Sequence, residues 1–451
     1  MQFTSFEFLF FVLIALFIAS FLKSIRPTVS VALGVLFYGS FGWLLTLLAL
    51  TSSFFDYIIV RKFSRNNSQT KLLLVLGVSL NLLFLVCVKI SYWGDYRVSA
   101  VGSTLIPIGI SFYTLQSISF LVDIYKKKLA PPDTYMEYLS YILFFPQLLA
   151  GPIERATSLL PQLKALKVAD FDVVIHGIKL FLAGCYLKLV VANRLAEPTL
   201  TVATSSEIDL IHFANGFLSV VYIYADFFGY TLMARGIAKC FNVDLHLNFN
   251  RPLATKNLTG FWQSWHMSLT RWIGDYFYIP IMRHLKSKSF FLKLLFGVIA
   301  MVLIGLWHGI GWNFILFGFL HGVCVQFSNY TVKLQNRQQL PQFVFNETIF
   351  SYFVITALGN LFHITSTEGV MNFLNSGAYM WLSFDNLKHY FNSSFLVGCF
   401  ALIPLFYYEF FDKRSLEAGQ GLRHDVLVSG FFLLAIVFAH KQGGGHVYFA
   451  F

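Results

Sequence analysis

Two histidines set among tryptophans are the residues of this sequence best suited to chemistry. His308 lies beside Trp307 in the apolar stretch Leu294–Phe327, and His266 lies in the aromatic stretch Phe261–Pro280. An imidazole with an ordinary pKa of about 6.5 can take a proton from a hydroxyl at physiological pH. An ionisable group flanked by apolar spans is a functional-site candidate, because burying it uncompensated is costly. We interpret His308 as a general base and His266 as a helper that positions a carbonyl or stabilises an oxyanion.

The stretch around His266, FWQSWHMSLTRWIGDYFYIP, predicts an amphipathic helix in the membrane interface. Apolar residues recur along it at spacings of 3, 4, 3 and 4, namely Trp262, Trp265, Leu269, Trp272 and Tyr276. Arg271 and Asp275 form an i,i+4 pair on the other side. The alternative is a purely structural interfacial helix.

The stretch Leu294–Phe327 is too long for one transmembrane helix. Its 34 residues would extend about 50 Å, whereas the hydrocarbon core is about 30 Å thick. We predict a break in the region of Gly309, Gly311 and Asn313, so that His308 faces a cavity. His321 lies 13 residues further on and need not share the face of His308, and we interpret it as structural.

Other chemistries lack their sequence patterns. The chain contains no His-x-x-x-His pair with a glutamate and no Cys-x-x-Cys motif, and its five cysteines are scattered in apolar context. It also contains neither G-x-S-x-G nor G-x-x-x-x-G-K-[ST]. We predict neither a metal site nor a permanently bound cofactor.

The composition is that of a membrane protein. Of the 451 residues, 57% are apolar and only 12% are charged, and the mean hydropathy is +0.65. A soluble domain of this composition would lack the polar surface to cover its core. Candidate spans are Phe8–Leu22, Val31–Leu50, Leu72–Ile90, Leu105–Tyr125, Tyr138–Gly151, Val173–Val191, Ile211–Tyr230, Val344–Phe362, Phe395–Phe411 and Val426–His440, with one or two more in Leu294–Phe327. We predict an all-α polytopic protein with about 11 transmembrane helices plus re-entrant or interfacial helices, in one membrane domain over residues 1–451.

Basic residues predict the orientation and the partners. Lys23 and Arg26 follow the first apolar segment, which favours an N-terminus outside the membrane and a cytoplasmic first loop. The segment Arg251–Lys293 holds seven Lys or Arg and one acid, Asp275, which gives it +6 of the chain's net +11. In a membrane protein such charge meets anionic lipid head groups or the phosphates of coenzyme A, rather than nucleic acid.

Five motifs in order resemble a known family. FWQSWHMSLTRWIGDYFYIP and GLWHGIGWNFILFGFLHG resemble the signature of the membrane-bound O-acyltransferases (MBOAT). Upstream, PIGISFYTLQSISFLVDIY, FFPQLLAGPIERATSLLPQL and YIYADFFGYTLMARGIAKCFNVDL resemble the bacterial alginate O-acetyltransferase (AlgI-like) and D-alanyl transfer (DltB-like) branch, as does the C-terminal VYFAF. The motif-bearing core is residues 105–322.

The resemblance implies a multi-helix bundle around a central funnel. His308 in LWHG matches the catalytic histidine of the family, and His266 in SWHMS matches its second motif position. The residues expected along the channel or at the donor site are Trp262, Trp265, Arg271, Asp275, Trp307, Asn313, Gln147, Arg155, Tyr224 and Asp226.

The same resemblance implies acyl transfer, with acetyl as the first expectation, in a bacterial cytoplasmic membrane. A cytoplasmic acyl-CoA or acyl-carrier thioester would be the donor substrate. The acceptor would be a hydroxyl of a cell-envelope polysaccharide or of an extracytoplasmic relay partner. Alternatives are D-alanyl or longer-acyl transfer to teichoic acid, lipid or protein. Outside this class stand a secondary transporter that uses His308 for proton coupling and a scaffold in which His308 is dispensable.

Overall fold

The computed structural model describes residues 2–21, 27–63, 68–91, 109–205, 209–285, 289–338, 345–364, 366–375, 385–390 and 393–410. Within these ranges every regular element is helical, which confirms the all-α prediction. The α-helices are α1 (Phe6–Phe21), α2 (Pro27–Gly39), α3 (Trp43–Arg61), α4 (Ser68–Ser91), α5 (Ile110–Tyr125), α6 (Tyr135–Ile142), α7 (Ala156–Lys164), α8 (Phe171–Tyr186), α9 (Asn193–Ala203), α10 (Leu210–Cys240), α11 (Leu258–Ser264), α12 (Met267–Ile273), α13 (Ile279–Leu285), α14 (Phe290–His308), α15 (Trp312–Asn336), α16 (Glu347–Gly359), α17 (Thr367–Asn375), α18 (Ser393–Ala401) and α19 (Ile403–Phe410).

Seven helical segments of the described chain are long and apolar enough to cross a membrane. They are Trp43–Arg61, Gln69–Ile90, Phe171–Ala203, Leu210–Cys240, Phe290–His308, Trp312–Asn336 and Ser393–Phe410. Three shorter apolar helices, Phe6–Phe21, Pro27–Gly39 and Glu347–Phe362, accompany them. The predicted polytopic membrane class is therefore confirmed. The predicted span Val426–His440 and the C-terminal VYFAF lie outside the described residues.

Two predicted spans are wrong. Val31–Leu50 is interrupted by a turn between α2 and α3, where Gly42 takes a φ of 150° that other residues rarely adopt. Tyr138–Gly151 is not one helix, because α6 ends at Ile142 and turns follow it as far as Gly151. Hydropathy identifies both stretches as apolar but does not detect such turns. The turns after α6 are buried, as irregular backbone at membrane depth must be, whereas Ser40 in the turn after α2 is exposed.

The described residues form two compact units. The first comprises the described parts of Met1–Cys185 and Tyr230–His246, and the second those of Tyr186–Gly229 and 247–410. In the first unit, Phe3 stacks on Tyr230 at a centroid distance of 4.6 Å, and Phe37 packs on Phe145 at 5.8 Å. The outer faces of α1 and α4 expose a series of large apolar side chains, as expected for contact with lipid.

In the second unit, α14 and α15 form a tightly packed antiparallel hairpin. α14 ends at His308 and α15 begins at Trp312, which confirms the break predicted in this region. Three glycines bring the helices together: a Cβ added at Gly305 would lie 2.1 Å from the Phe314 carbonyl oxygen, and one at Gly318 2.5 Å from the Met301 carbonyl oxygen. A Cβ at Gly322 would lie 3.0 Å from the Cα of Val298. Small residues at such crossings are what allow transmembrane helices to approach closely.

We expect Gly305→Ala to destabilise the protein by about 1–3 kcal/mol, since the added methyl overlaps backbone that cannot move without separating the hairpin. The midpoint of thermal unfolding in detergent measures this effect. The matched control is Gly274→Ala, because Gly274 has helical dihedral angles and no heavy atom within 4 Å of an added Cβ. Equal midpoints for the two variants would contradict the packing argument.

Candidate active site

His308 lies where three helix ends of the second unit meet. α14 ends at this residue, and Gly309 continues the chain in an extended conformation. The Asn313 side-chain amide, in the first turn of α15, donates to the Leu361 carbonyl oxygen at 3.2 Å, just beyond the end of α16. The ring of Phe362 stands 4.9 Å from the ring of His308. Asn313 therefore connects the start of α15 to the end of α16 next to His308, and it does not line the site itself.

His266 lies at a break between α11 and α12. Its φ of 42° is in the left-handed region, which residues other than glycine and asparagine seldom adopt. Asn248 secures the break: its carbonyl oxygen accepts from the Met267 N–H at 2.8 Å, and its side-chain oxygen accepts from the Ser268 hydroxyl at 2.6 Å. The break turns His266 inward, where it is 1% exposed.

The prediction of one helix over Phe261–Pro280 is therefore wrong. Trp262 and Trp265 belong to α11 and its end, while Leu269 and Trp272 belong to α12, which continues through the π-helical segment Gly274–Tyr278 into α13. All four side chains are buried. The periodicity survives because both helices bury the same type of residue, so the spacing alone does not reveal the break at His266.

The two histidines are brought together. Their ring centroids are 6.1 Å apart, and Trp307 contacts both, at 5.3 Å from His266 and 4.9 Å from His308. Phe227 of α10 covers the other side of His266 at 4.8 Å. Because burial disfavours the charged imidazolium, the pKa of His266 is lowered to about 3, so this ring is neutral at physiological pH.

Trp262 and Trp265 line two sides of this region. Trp265 packs on Phe249 at 5.0 Å and on Tyr224 at 6.0 Å, whereas Trp262 packs on His321 of α15 at 5.2 Å. Both indoles are buried. Trp307 therefore contacts both histidines of the pair, Trp265 directly precedes His266, and Trp262 lies beside His321.

Tyr224 is held by a carboxylate that the sequence did not indicate. Its hydroxyl donates a short hydrogen bond to the Glu409 carboxylate in α19. The other oxygen of that carboxylate accepts from the Leu253 N–H at 3.0 Å. Tyr224 and Glu409 are both completely buried. Glu409 therefore joins α10 to the loop that precedes α11, and through Tyr224 it supports Trp265.

Asp226 forms a buried ion pair. The Lys188 ammonium stands 2.5 Å from its carboxylate, and the two side chains are 5% and 1% exposed. Lys188 lies in the π-helical segment Leu187–Ala192, which widens the long helix formed by α8 and α9. Such π-bulges are often found at functional sites. Asp226 is one residue from Phe227, so the ion pair fixes the part of α10 that covers His266.

Four predicted site residues lie elsewhere. Arg271 and Asp275 are exposed, outside the buried group of rings. Gln147 and Arg155 belong to the first unit, where Gln147 is buried and donates to the Tyr141 carbonyl oxygen at 3.4 Å, and Arg155 precedes α7. In the described part of the chain no three His, Cys, Asp or Glu side chains are grouped so as to hold a metal ion.

Four residues of this site were not predicted from the sequence: Phe227, Phe362, Lys188 and Glu409. The two charged residues carried a usable signal, since each is an ionisable side chain within an apolar span. Their partners are 38 and 185 residues away along the chain, and no spacing rule connects positions so far apart. The two phenylalanines gave no signal, because the chain contains 52 of them.

We expect Lys188→Met to destabilise the protein by about 3 kcal/mol, because it leaves Asp226 buried without its cation. The double variant Lys188→Met/Asp226→Leu should lose less stability than Lys188→Met, since it leaves no unpaired charge buried at this place. Thermal unfolding in detergent of the wild type, both single variants and the double variant measures the coupling. Additive losses would contradict a coupled pair.

The chain is similar in sequence to known proteins. The sequence model of the MBOAT, membrane-bound O-acyltransferase family, matches residues 130–366. The chain is 29% identical to a peptidoglycan O-acetyltransferase of Helicobacter pylori over 66% of its length and 64% of that relative. It is 32% identical to a probable alginate O-acetylase of Pseudomonas aeruginosa, over 49% of this chain and 42% of that relative. It is 26% identical to a teichoic acid D-alanyltransferase of Streptococcus thermophilus, over 57% and 64% respectively.

The chain covers less than two thirds of each of these relatives. The family match includes α6 to α16 and both histidines of the site. Because that match extends over more than half of its length, the chain belongs to the membrane-bound O-acyltransferase family.

Proposed function

We propose that the protein is an O-acyltransferase in which His308 is the general base and His266 assists it. The acyl group, which we assign as acetyl, moves from a cytoplasmic thioester to a hydroxyl of a cell-envelope polysaccharide or of an extracytoplasmic relay partner. The observation that carries this proposal is the pair of buried imidazoles 6.1 Å apart, inside the region that matches the family.

The geometry supports a direct transfer. His308 takes the proton of the acceptor hydroxyl as its oxygen attacks the thioester carbonyl. Neutral His266 has one N–H to donate to the oxyanion of the tetrahedral intermediate. The carbon–sulfur bond then breaks, and His308 returns its proton to the leaving thiolate. The surrounding rings keep water away, which strengthens the hydrogen bond to the oxyanion.

The donor is a substrate, and acetyl-CoA is our first choice for it. The O-acetyltransferase relatives are 29% to 32% identical to this chain, whereas the D-alanyltransferase relatives are 26% and 27% identical. The basic segment Arg251–Lys293 offers cations for the phosphates of coenzyme A or of a carrier-bound phosphopantetheine. The D-alanyltransferase relatives favour D-alanyl transfer from a carrier protein as the second candidate.

We place the N-terminus outside the membrane. Lys23 and Arg26 follow α1, and Arg61 and Lys62 follow α3 after two further helices. The turn between α14 and α15, residues 309–311, contains no Lys or Arg, whereas Arg337 follows α15. In each unit, the positive-inside rule assigns the basic junctions to the cytoplasm. His308 then lies at the outer end of α14, where an extracytoplasmic acceptor can reach it.

We expect His308→Ala to lower acetyl transfer by a factor of about 10² to 10⁴, because the acceptor hydroxyl loses its base. Purified protein in detergent is incubated with labelled acetyl-CoA, and thioester cleavage is followed in wild type and variant at equal thermal stability. His389→Ala is the control, since His389 lies in the 3₁₀ segment Asp385–Tyr390, outside the region that matches the family. Equal cleavage by the His308 variant and the wild type would remove His308 from the mechanism.

We expect His266→Asn to lower the rate by about 10²-fold but to leave the acid limb of the pH profile in place. Burial lowers the pKa of His266 to about 3, so the ring has lost its proton well below pH 5 and carries no charge up to about pH 8. Asparagine tolerates the left-handed backbone at this position. Profiles of kcat/KM against pH for wild type and variant measure this. Disappearance of the acid limb in the variant would show that His266 titrates during catalysis.

A further inference from the structure

A second pair of buried polar rings lies beside the histidine site. Trp262 and His321 are 5% and 3% exposed, and their ring centroids are 5.2 Å apart. Among the residues that the structure describes, neither the Trp262 Nε1–H nor the His321 Nδ1 has a hydrogen-bond partner. Nearly all buried polar groups in proteins are hydrogen-bonded, so two neighbouring ones without partners indicate a site completed by something that binds there.

Two contacts between α11 and α15 show how these helices run. In one, the Thr259 hydroxyl donates to the Asn329 side-chain oxygen at 2.7 Å. In the other, Trp262 packs on His321. The residue numbers increase along α11 as they decrease along α15, so the two helices run antiparallel. The end of α11 and the start of α15 therefore both lie toward the two histidines, since His266 follows α11 and His308 precedes α15.

Aromatic rings line the path between His321 and His308. Phe317 stands 4.4 Å from His321 and 5.7 Å from Phe362, which itself stands 4.9 Å from His308. His321 comes seven residues after Phe314, the residue of α15 in ring contact with His308, and seven residues of helix extend about 10 Å. A group at His321 is thus separated from a reacting carbonyl at His308 by about two helical turns.

The charges of the hairpin show which side of His308 this pair occupies. Lys293 lies in the first turn of α14, and Lys333 and Arg337 lie at the end of α15. The opposite end, residues 309–311, has no Lys or Arg. The positive-inside rule assigns the basic end to the cytoplasm. His321 and Trp262 therefore lie between the cytoplasm and His308, along the route that a cytoplasmic donor takes.

We propose that Trp262 and His321 bind an amide group in the pantetheine arm of the thioester donor. An indole N–H only donates, and an imidazole nitrogen is able to accept, so the pair matches the carbonyl oxygen and the N–H of a secondary amide. A hydrocarbon chain at this place would leave both groups unsatisfied. The inference rests on the proposed function and gives His321 a positioning role, in place of the structural one predicted from the sequence.

Three substitutions separate the hydrogen bonds from the packing. Trp262→Phe removes the N–H and keeps an aromatic ring, and His321→Leu removes both ring nitrogens. His321→Asn keeps a polar atom near the position of Nδ1, so it should restore the binding that His321→Leu loses. Trp312→Phe is the matched control, because Trp312 is 61% exposed at the start of α15.

Binding is measured on the purified full-length protein in detergent with two unreactive probes. One is S-(2-oxopropyl)pantetheine, and the other is an alkyl 2-oxopropyl thioether of equal length without amides. We expect Trp262→Phe and His321→Leu each to weaken binding of the pantetheine probe about tenfold, as for the loss of one buried hydrogen bond. Binding of the alkyl probe should change less than about twofold in the same variants.

The subsite would be overturned if the variants lost equal affinity for both probes, or lost affinity for neither. A structural role of the two side chains, or a bound water between them, would affect binding of both probes equally. Binding needs no turnover, so the result is separate from the test of the proposed function. If transfer depends on His308 but the protein binds both probes with equal affinity, the proposed function stands and the subsite is rejected. A wild type that binds neither probe and transfers nothing would reject both.

Discussion

Backbone that leaves a helix inside an apolar bundle must find its hydrogen bonds within the protein, and the site depends on this requirement. The chain leaves a helix at His266 and again after His308. Asn248 accepts from the backbone that follows His266, and Asn313 donates to the backbone at the end of α16. The backbone carbonyl of Asn248 and the side chain of Asn313 thus support the two breaks that bring the imidazoles together. If the helix were continuous at either place, the helical repeat alone would set the direction of the histidine side chain.

Two buried polar pairs of the second unit support the histidines indirectly. Lys188 with Asp226, and Glu409 with Tyr224, tie α10 to the helix before it and to α19. α10 in turn supplies Phe227, which covers His266. Each of these four groups has a partner in the other member of its pair. Among the described residues, those in ring contact with the two histidines are mainly aromatic.

Much of this arrangement could be predicted from the sequence, for identifiable reasons. Composition fixes the all-α membrane class, and the excess length of Leu294–Phe327 together with its glycines places the break beside His308. The break at His266 was not predicted, because a left-handed residue between two helices leaves no mark on the apolar periodicity. Lys188 and Glu409 were missed as partners, since their pairing depends on how distant helices pack. Arg271 and Asp275 satisfied a local spacing rule, yet their side chains are exposed.

The tight hairpin of α14 and α15 also affects how the protein is made. Its two helices are joined by three residues, and their glycine contacts are local in sequence, so the pair is able to enter the membrane together during synthesis. The rings around His308 come from residues 227–362, which are translated in one uninterrupted stretch. Tyr224 receives its carboxylate partner later, when Glu409 emerges. The residues whose rings contact His308 are therefore all translated before Glu409, the residue that accepts from Tyr224.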